Sequence, residues 1–253
     1  MPNIRLIARL DIKGNFLIKS INLEGLRKIG DPSKYALRYY NDNIDEILYM
    51  DVVANLYQRN SLMNLIKETS ENIFVPITVG GGVRTLNDVD EMMKYGADKV
   101  AINTAAVKNP ELIRTISDKF GSQCMVSSIE AKKKKDSDNW EVMVDSGREK
   151  TGLCVLKWVE TVIDKGAGEI LITSVDREGT RTGFDTNLIK KVSNISEVPV
   201  IACGGMGKIE HLIDVVNNGN ADAVAVADIL HYDRKTVFEI KNEVIKKNIE
   251  MRI

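Results

Sequence analysis

The stretch VPITVGGGVR, Val75 to Arg84, returns in altered form as VPVIACGGMGK, Val198 to Lys208. Each is a short apolar run rich in Val and Ile that ends in a glycine turn, the pattern of a strand buried on both faces. The repeat does not stand alone. GADKVAINT (Gly96–Thr104) returns as GNADAVAVAD (Gly219–Asp228) with one inserted residue, DEIL (Asp45–Leu48) as GEIL (Gly168–Leu171), and LDIK (Leu10–Lys13) as IEAK (Ile129–Lys132). The pairs keep their order and nearly the same spacing. Self-similarity of this kind marks a repeated architecture, so the chain reads as one domain, 1–253, built from two related halves of about 1–120 and 121–253.

Eight such runs lie at 4–12, 46–54, 75–79, 99–103, 124–130, 169–175, 198–203 and 223–229. Between them apolar residues recur at helical spacing, as in LNDVDEMMKYG (Leu86–Gly96) and IEHLIDVVNNG (Ile209–Gly219), each stopped by a glycine suited to a helix end. Strand then helix, eight times over, predicts an α/β fold of the (β/α)8 or TIM-barrel type, which needs about 250 residues.

The 35 Lys and Arg against 36 Asp and Glu leave a formal charge of −1. Nothing in that total recruits nucleic acid or an anionic membrane, so any anion binding must be local. No apolar run reaches the ~18 residues of a membrane span. The start, MPNIRLIARLDIKG, carries charges where a signal peptide needs an unbroken apolar segment, and a cytoplasmic protein is the expectation. Cys124, Cys154 and Cys203 are odd in number and widely spaced, which suits packed thiols better than bridges. His211 and His231 are too few for a zinc cluster, so neither a metal nor another cofactor is expected.

The turns carry the chemistry. Gly80, Gly81 and Gly82 close the third strand and Asn103 with Thr104 the fourth; Gly204 and Gly205 close the seventh and Ala227 with Asp228 the eighth. Glycine lets backbone approach a ligand, and amides at the start of the following helix point at an anion. Two such cradles, related by a half-turn of the barrel, suit a ligand with a phosphate at each end. Asp11 ends the first strand and Glu130 the fifth, on the opposite side. Alternation puts Arg5, Ile7, Arg9 and Asp11 on one face, and Ser128 with Glu130 likewise. Two carboxyls facing each other across a ligand can act as general acid and base; otherwise each caps a loop or pairs with lysine.

LDIK, LIKS, VGGGVR, GADKVAINTAAV, FGSQC, GAGEILITSVDREGT and VPVIACGG resemble the cyclase subunit of imidazole glycerol phosphate synthase, the HisF family, from about Ile4 to the C-terminus. The resemblance implies a barrel that receives ammonia from a HisH-like glutaminase docked at its floor. Ammonia then crosses the barrel centre to a phosphorylated small molecule, where a pair of carboxylates does acid-base work. By position, the resemblance assigns that work to Asp11 and Glu130. It assigns substrate binding to Lys19, Gly82, Asn103, Thr104, Asp176, Gly179, Gly204, Gly205, Ala227 and Asp228. It also implies that Arg5, Glu46, Lys99 and Glu169 form a charged ring that gates ammonia at the floor. The plain alternative is that the ring plugs the floor, since features of that face usually serve stability.

Several residues depart from the family pattern. Glu130 stands where the family has aspartate; one methylene moves a carboxyl by about 1 Å, a shift that can cost a positioned catalyst roughly a hundredfold. Asp228 stands where the family has a small residue. A carboxylate facing phosphate at about 5 Å would be repelled by roughly 3 kcal/mol per pair of unit charges at an effective dielectric near 20. A weakened second phosphate site is therefore expected; Asp228 could instead turn onto the helix amides as a cap, where it would still occupy donors that a phosphate would use. DVVANLYQRNSL (Asp51–Leu62), with Leu56, Tyr57 and Gln58, and SSIEAK also differ.

These changes resemble a divergent branch of the family found with sugar-amidating enzymes. There the barrel and its glutaminase supply ammonia to a third protein, a sugar amidotransferase, that makes acetamidino sugars. That branch implies relay without cyclisation. Two alternatives stay open: an authentic cyclase of histidine biosynthesis, and a non-catalytic scaffold that activates the glutaminase. Finally, Trp140, Val142 and Val144 alternate as in a hairpin arm within KKKKDSDNWEVMVDSGREKTG (Lys132–Gly152), either as a solvated excursion or as a lid over the barrel mouth.

Overall fold

The computed structural model describes residues 3–53, 62–135 and 137–252. Strand β1 (Arg5–Lys13) runs into an antiparallel hairpin, β2 (Phe16–Ile21) and β3 (Glu24–Gly30). Next come β4 (Glu46–Asp51), β5 (Ile77–Gly80), β6 (Lys99–Ile102) and β7 (Met125–Lys133). A second hairpin, β8 (Trp140–Val144) and β9 (Glu149–Cys154), follows β7. The chain then continues through β10 (Glu169–Ser174), β11 (Val200–Cys203) and β12 (Ala223–Val226).

Eight of these strands are parallel and close on themselves in the order β1, β4, β5, β6, β7, β10, β11, β12. Ile7 pairs with Ala225 where β1 meets β12, and Leu171 with Ser128 where β10 meets β7. Closure removes the exposed edges that an open sheet would present. This is the (β/α)8 barrel.

The continuous apolar strands follow from burial on both faces. Leu6, Ala8 and Leu10 of β1, Ile47 and Tyr49 of β4, and Ile170 and Ile172 of β10 face outward into the layer of helices. The alternate residues Ile7, Leu48, Ala101, Val126, Leu171, Ile201, Cys203, Ala223 and Ala225 form a separate cluster inside the barrel. The helix expected over Leu86–Gly96 spans Leu86–Lys94, opened by a reciprocal cap between Thr85 and Asp88. That expected over Ile209–Gly219 spans Ile209–Asn217. The eighth strand is shorter than the 223–229 run because Asp228 already begins a short helix, Asp228–His231.

The hairpin arm is β8, with Trp140 and Val142 fully enclosed. The Trp140 indole N–H donates to Asp185 Oδ2 at 2.8 Å. Its tip beside Lys134 and Lys135 is exposed, whereas the β8–β9 turn lies over the barrel mouth.

Candidate functional site

The site is assembled at the C-terminal end of the barrel. Asp11, near the top of β1, is 2% exposed and accepts a bond from Arg9 Nε at 2.8 Å. Burial alone would raise this carboxyl, but Arg9 and then Lys19 overcome it and hold it below its ordinary range. Asp11 is thus an anion at neutral pH. Lys19, on β2, is itself buried and ion-paired with Glu178 from the turn after β10.

Glu130, on β7, meets the opposite environment. Its Oε2 accepts the Gly147 amide at 2.8 Å, yet burial outweighs that bond and pushes the carboxyl up to about 7. Two carboxyls with affinities driven apart by their surroundings are suited to separate acid and base roles.

The glycine turns flank these groups as two small cavities. One, of about 50 Å³, is lined by Arg9, Glu130, Gly81, Gly82, Asn103 and Thr104. The other, of about 20 Å³, is lined by Lys19, Glu178, Gly179, Gly204, Gly205 and Asp228. The backbone enforces glycine at both. Gly81 has φ +92°, and an added Cβ would stand 2.2 Å from the Asp51 carbonyl; Gly205 has φ +111°, with the Gly183 carbonyl 2.1 Å from such an atom.

Asn103 precedes the helix Thr104–Lys108. Its amide nitrogen donates to the Met143 carbonyl at 3.1 Å, while its buried Oδ1 has no partner among the described residues. The Thr104 hydroxyl accepts the Asp145 amide at 3.1 Å. These contacts come from the end of β8 and from the β8–β9 turn, and Ser146 of that turn also donates to the Val52 carbonyl at 3.2 Å.

At the other end of the barrel, Arg5, Glu46, Lys99 and Glu169 close a cycle of ion pairs. Arg5 Nη1 lies 2.5 Å from Glu46 Oε1 and 2.8 Å from Glu169 Oε1. Lys99 Nζ lies 3.2 Å from Glu46 Oε2 and 3.1 Å from Glu169 Oε2. Each carboxylate is shared by both cations, and the inner apolar cluster lies between this ring and the upper site.

A family model described as histidine biosynthesis protein matches residues 5–236. Full-length relatives agree. The imidazole glycerol phosphate synthase subunit HisF of Clostridium botulinum is 43% identical over 253 residues, covering all of both chains. The chain belongs to the HisF family. The subunit of that name from Clostridium beijerinckii is 44% identical over the same length. That from Legionella pneumophila is 58% identical over 210 residues, 83% of this chain and 99% of the relative.

Within this HisF-family barrel, two acids sit differently from what their sequence positions suggest. Asp176 lines neither of the two cavities: its Oδ2 accepts the Lys133 amide at 2.8 Å, in a surface cleft with Lys134, Lys135 and Arg177. The acid that the turn aims inward is Glu178, next to Gly179 and 3% exposed. Asp228 neither stands as a bare charge nor caps the helix. Ala227 holds the cap position with no side-chain bond there, and Asp228 Oδ1 accepts from Arg234 Nε at 2.9 Å. Pairing with Arg234 places an opposite charge against the carboxylate and so opposes the repulsion expected from its sequence position alone.

Arg9 was legible only as a residue facing inward. Gly147 and Ser146 carry no sequence signal beyond a turn between alternating strands. Leu56, Tyr57 and Gln58 lie outside the described residues. Among the described residues no helix is long and apolar enough to cross a membrane, and no cluster of three His, Cys, Asp or Glu could hold a metal.

Proposed function

We propose that this chain is the synthase subunit of a glutamine amidotransferase. It takes ammonia from a HisH-like glutaminase docked at the floor and uses it at the top as the cyclase of imidazole glycerol phosphate synthase, in histidine biosynthesis. The observation that carries the reading is the Asp11 and Glu130 pair, held in unlike environments and flanked by two glycine cradles. Asp11, fixed as an anion, accepts a proton or steadies a developing cation. Glu130, near 7, gives and takes a proton at neutral pH. Lys19 and the turn amides hold the anionic ends of a bis-phosphate.

Transport follows the same physics. Ammonia is neutral, and the inner wall of Ile7, Leu48, Val126 and Leu171 penalises a bare ammonium ion far more than its neutral base. The Arg5, Glu46, Lys99 and Glu169 ring stands below that wall as the gate. The full-length relatives named as synthase subunits support this reading over the others.

A second reading, ammonia relay to a sugar amidotransferase, is favoured by one observation. Glu130, which lines the first cavity, has a longer arm than the aspartate that the family resemblance implies there, and Asp228 with Arg234 adds an ion pair at the second cradle.

Purified barrel, an ammonium salt and the bis-phosphate substrate of the synthase separate the two. Turnover within the ~1–10³ s⁻¹ of ordinary enzymes supports the cyclase. A silent wild type whose activity appears on Glu130→Asp overturns that reading in favour of the relay.

A further inference from the structure

Arg9 makes contacts in the barrel beyond the one that holds Asp11 as an anion. It is 3% exposed and points inward from β1. Besides Asp11, its Nη1 donates to Thr173 Oγ1 at 2.9 Å and to Cys203 Sγ at 3.3 Å. Thr173 belongs to β10 and Cys203 to β11, which stand three and two strands away from β1 around the closed barrel. The guanidinium therefore spans the bore instead of lying along its wall.

Beneath it is the apolar layer of Ile7, Leu48, Val126, Leu171 and Ile201, and beneath that the floor ring. Above it opens the cavity shared with Glu130 and Gly82. An apolar side chain could fill the same space without the several kcal/mol that removing a cation from water costs. The anchors also differ in strength. The bond to Asp11 joins two opposite charges, whereas those to the hydroxyl and the thiol have neutral acceptors and are weaker. Rotation about the strong contact releases the two weak ones together.

We propose that Arg9 is an upper closure of the barrel bore: ammonia rising from the floor reaches Asp11 and Glu130 only after the guanidinium leaves Thr173 and Cys203. This rests on the ammonia-passage reading above. Neutral ammonia can accept a hydrogen bond from the guanidinium as it passes, whereas ammonium meets a like charge. The closure thus favours the form able to act as a nucleophile and blocks a leak of cations through the bore.

The test is an isotope competition in the complete complex with the glutaminase and the bis-phosphate. [Amide-15N]glutamine supplies ammonia from the floor, and unlabelled ammonium supplies it from solvent. The isotope ratio in the product is independent of how fast each variant turns over. Thr173→Val with Cys203→Ala, which frees the guanidinium but keeps Asp11 paired, is expected to raise the ratio of labelled to unlabelled product by about tenfold, and Arg9→Met by at least as much.

A ratio unchanged in both variants, with label entering the wild-type product, overturns the closure while leaving ammonia passage intact. A wild-type product without label overturns passage itself, and the closure's role with it. A readout that needs no acceptor is solvent exchange of the Arg9 Nε proton in 15N-arginine-labelled protein. About hundredfold protection in the wild type, lost in the Thr173→Val, Cys203→Ala variant, is expected; an unprotected wild-type proton overturns the closure.

Discussion

Replacing Glu130 by Gln isolates the cost of the buried acid. Burial lifts this carboxyl from 4.5 to about 7, against the pull of the Gly147 amide and Arg9. The folded state therefore holds a proton that the unfolded chain has already released. Below pH ~4.5 both states are protonated and the group contributes nothing; as pH rises towards 7 the unfolded state is favoured, and above 7 the full cost is present. At 1.36 kcal/mol per pKa unit, that cost is on the order of 3 kcal/mol.

Glutamine keeps an oxygen for the Gly147 amide and carries no charge. The variant should thus be more stable than the wild type at pH 8 and nearly equal at pH 4.5. Urea unfolding across pH 4.5–8.5 measures this directly, as a stability difference that grows by about 3 kcal/mol over the range. Parallel curves would refute the raised carboxyl, and with it the division of labour between Glu130 and Asp11. The same substitution should lower turnover by about 10²–10⁴-fold, the usual share of a general acid or base.

Other expectations follow from single contacts. Asp11→Asn removes the anion that holds Arg9, and ammonium-supported turnover should fall by about 10²–10⁴-fold with little change in substrate KM. In Gly81→Ala, the new Cβ would meet the Asp51 carbonyl in a left-handed backbone, so thermal unfolding should report a loss of about 1–3 kcal/mol. Arg234→Gln leaves Asp228 uncompensated beside the second cradle, and calorimetry should show pyrophosphate bound roughly tenfold more weakly, about 1.4 kcal/mol. Asp228→Ser should shift the same titration the other way.

The barrel was legible because its strands are buried twice. Ile7 and Leu48 face the bore while Leu6 and Ile47 face the helices, so each strand is apolar throughout and stands out from the amphipathic helices between. The glycine turns were legible for a similar reason: at Gly81 and Gly205 a carbonyl lies where a side chain would go. What was not legible depends on direction. SVDREGT offers two acids two residues apart, and only the folded turn shows that Glu178 is inside with Lys19 while Asp176 caps the β7 backbone. Asp228 looks unpaired until the short helix brings Arg234 against it. Arg9 looks like any inward residue of β1 until closure brings β10 and β11 around to meet it.

If ammonia travels inside the barrel, it never mixes with solvent. The direct measurement is glutamine-driven product formation by the complete complex in the presence of an excess of an enzyme that consumes free ammonium. Product should form at nearly the rate seen without the scavenger, while product from added ammonium disappears. Loss of the glutamine-driven product as well would mean that ammonia reaches the Asp11 and Glu130 site from outside, and the passage through the ring of Arg5, Glu46, Lys99 and Glu169 would be wrong.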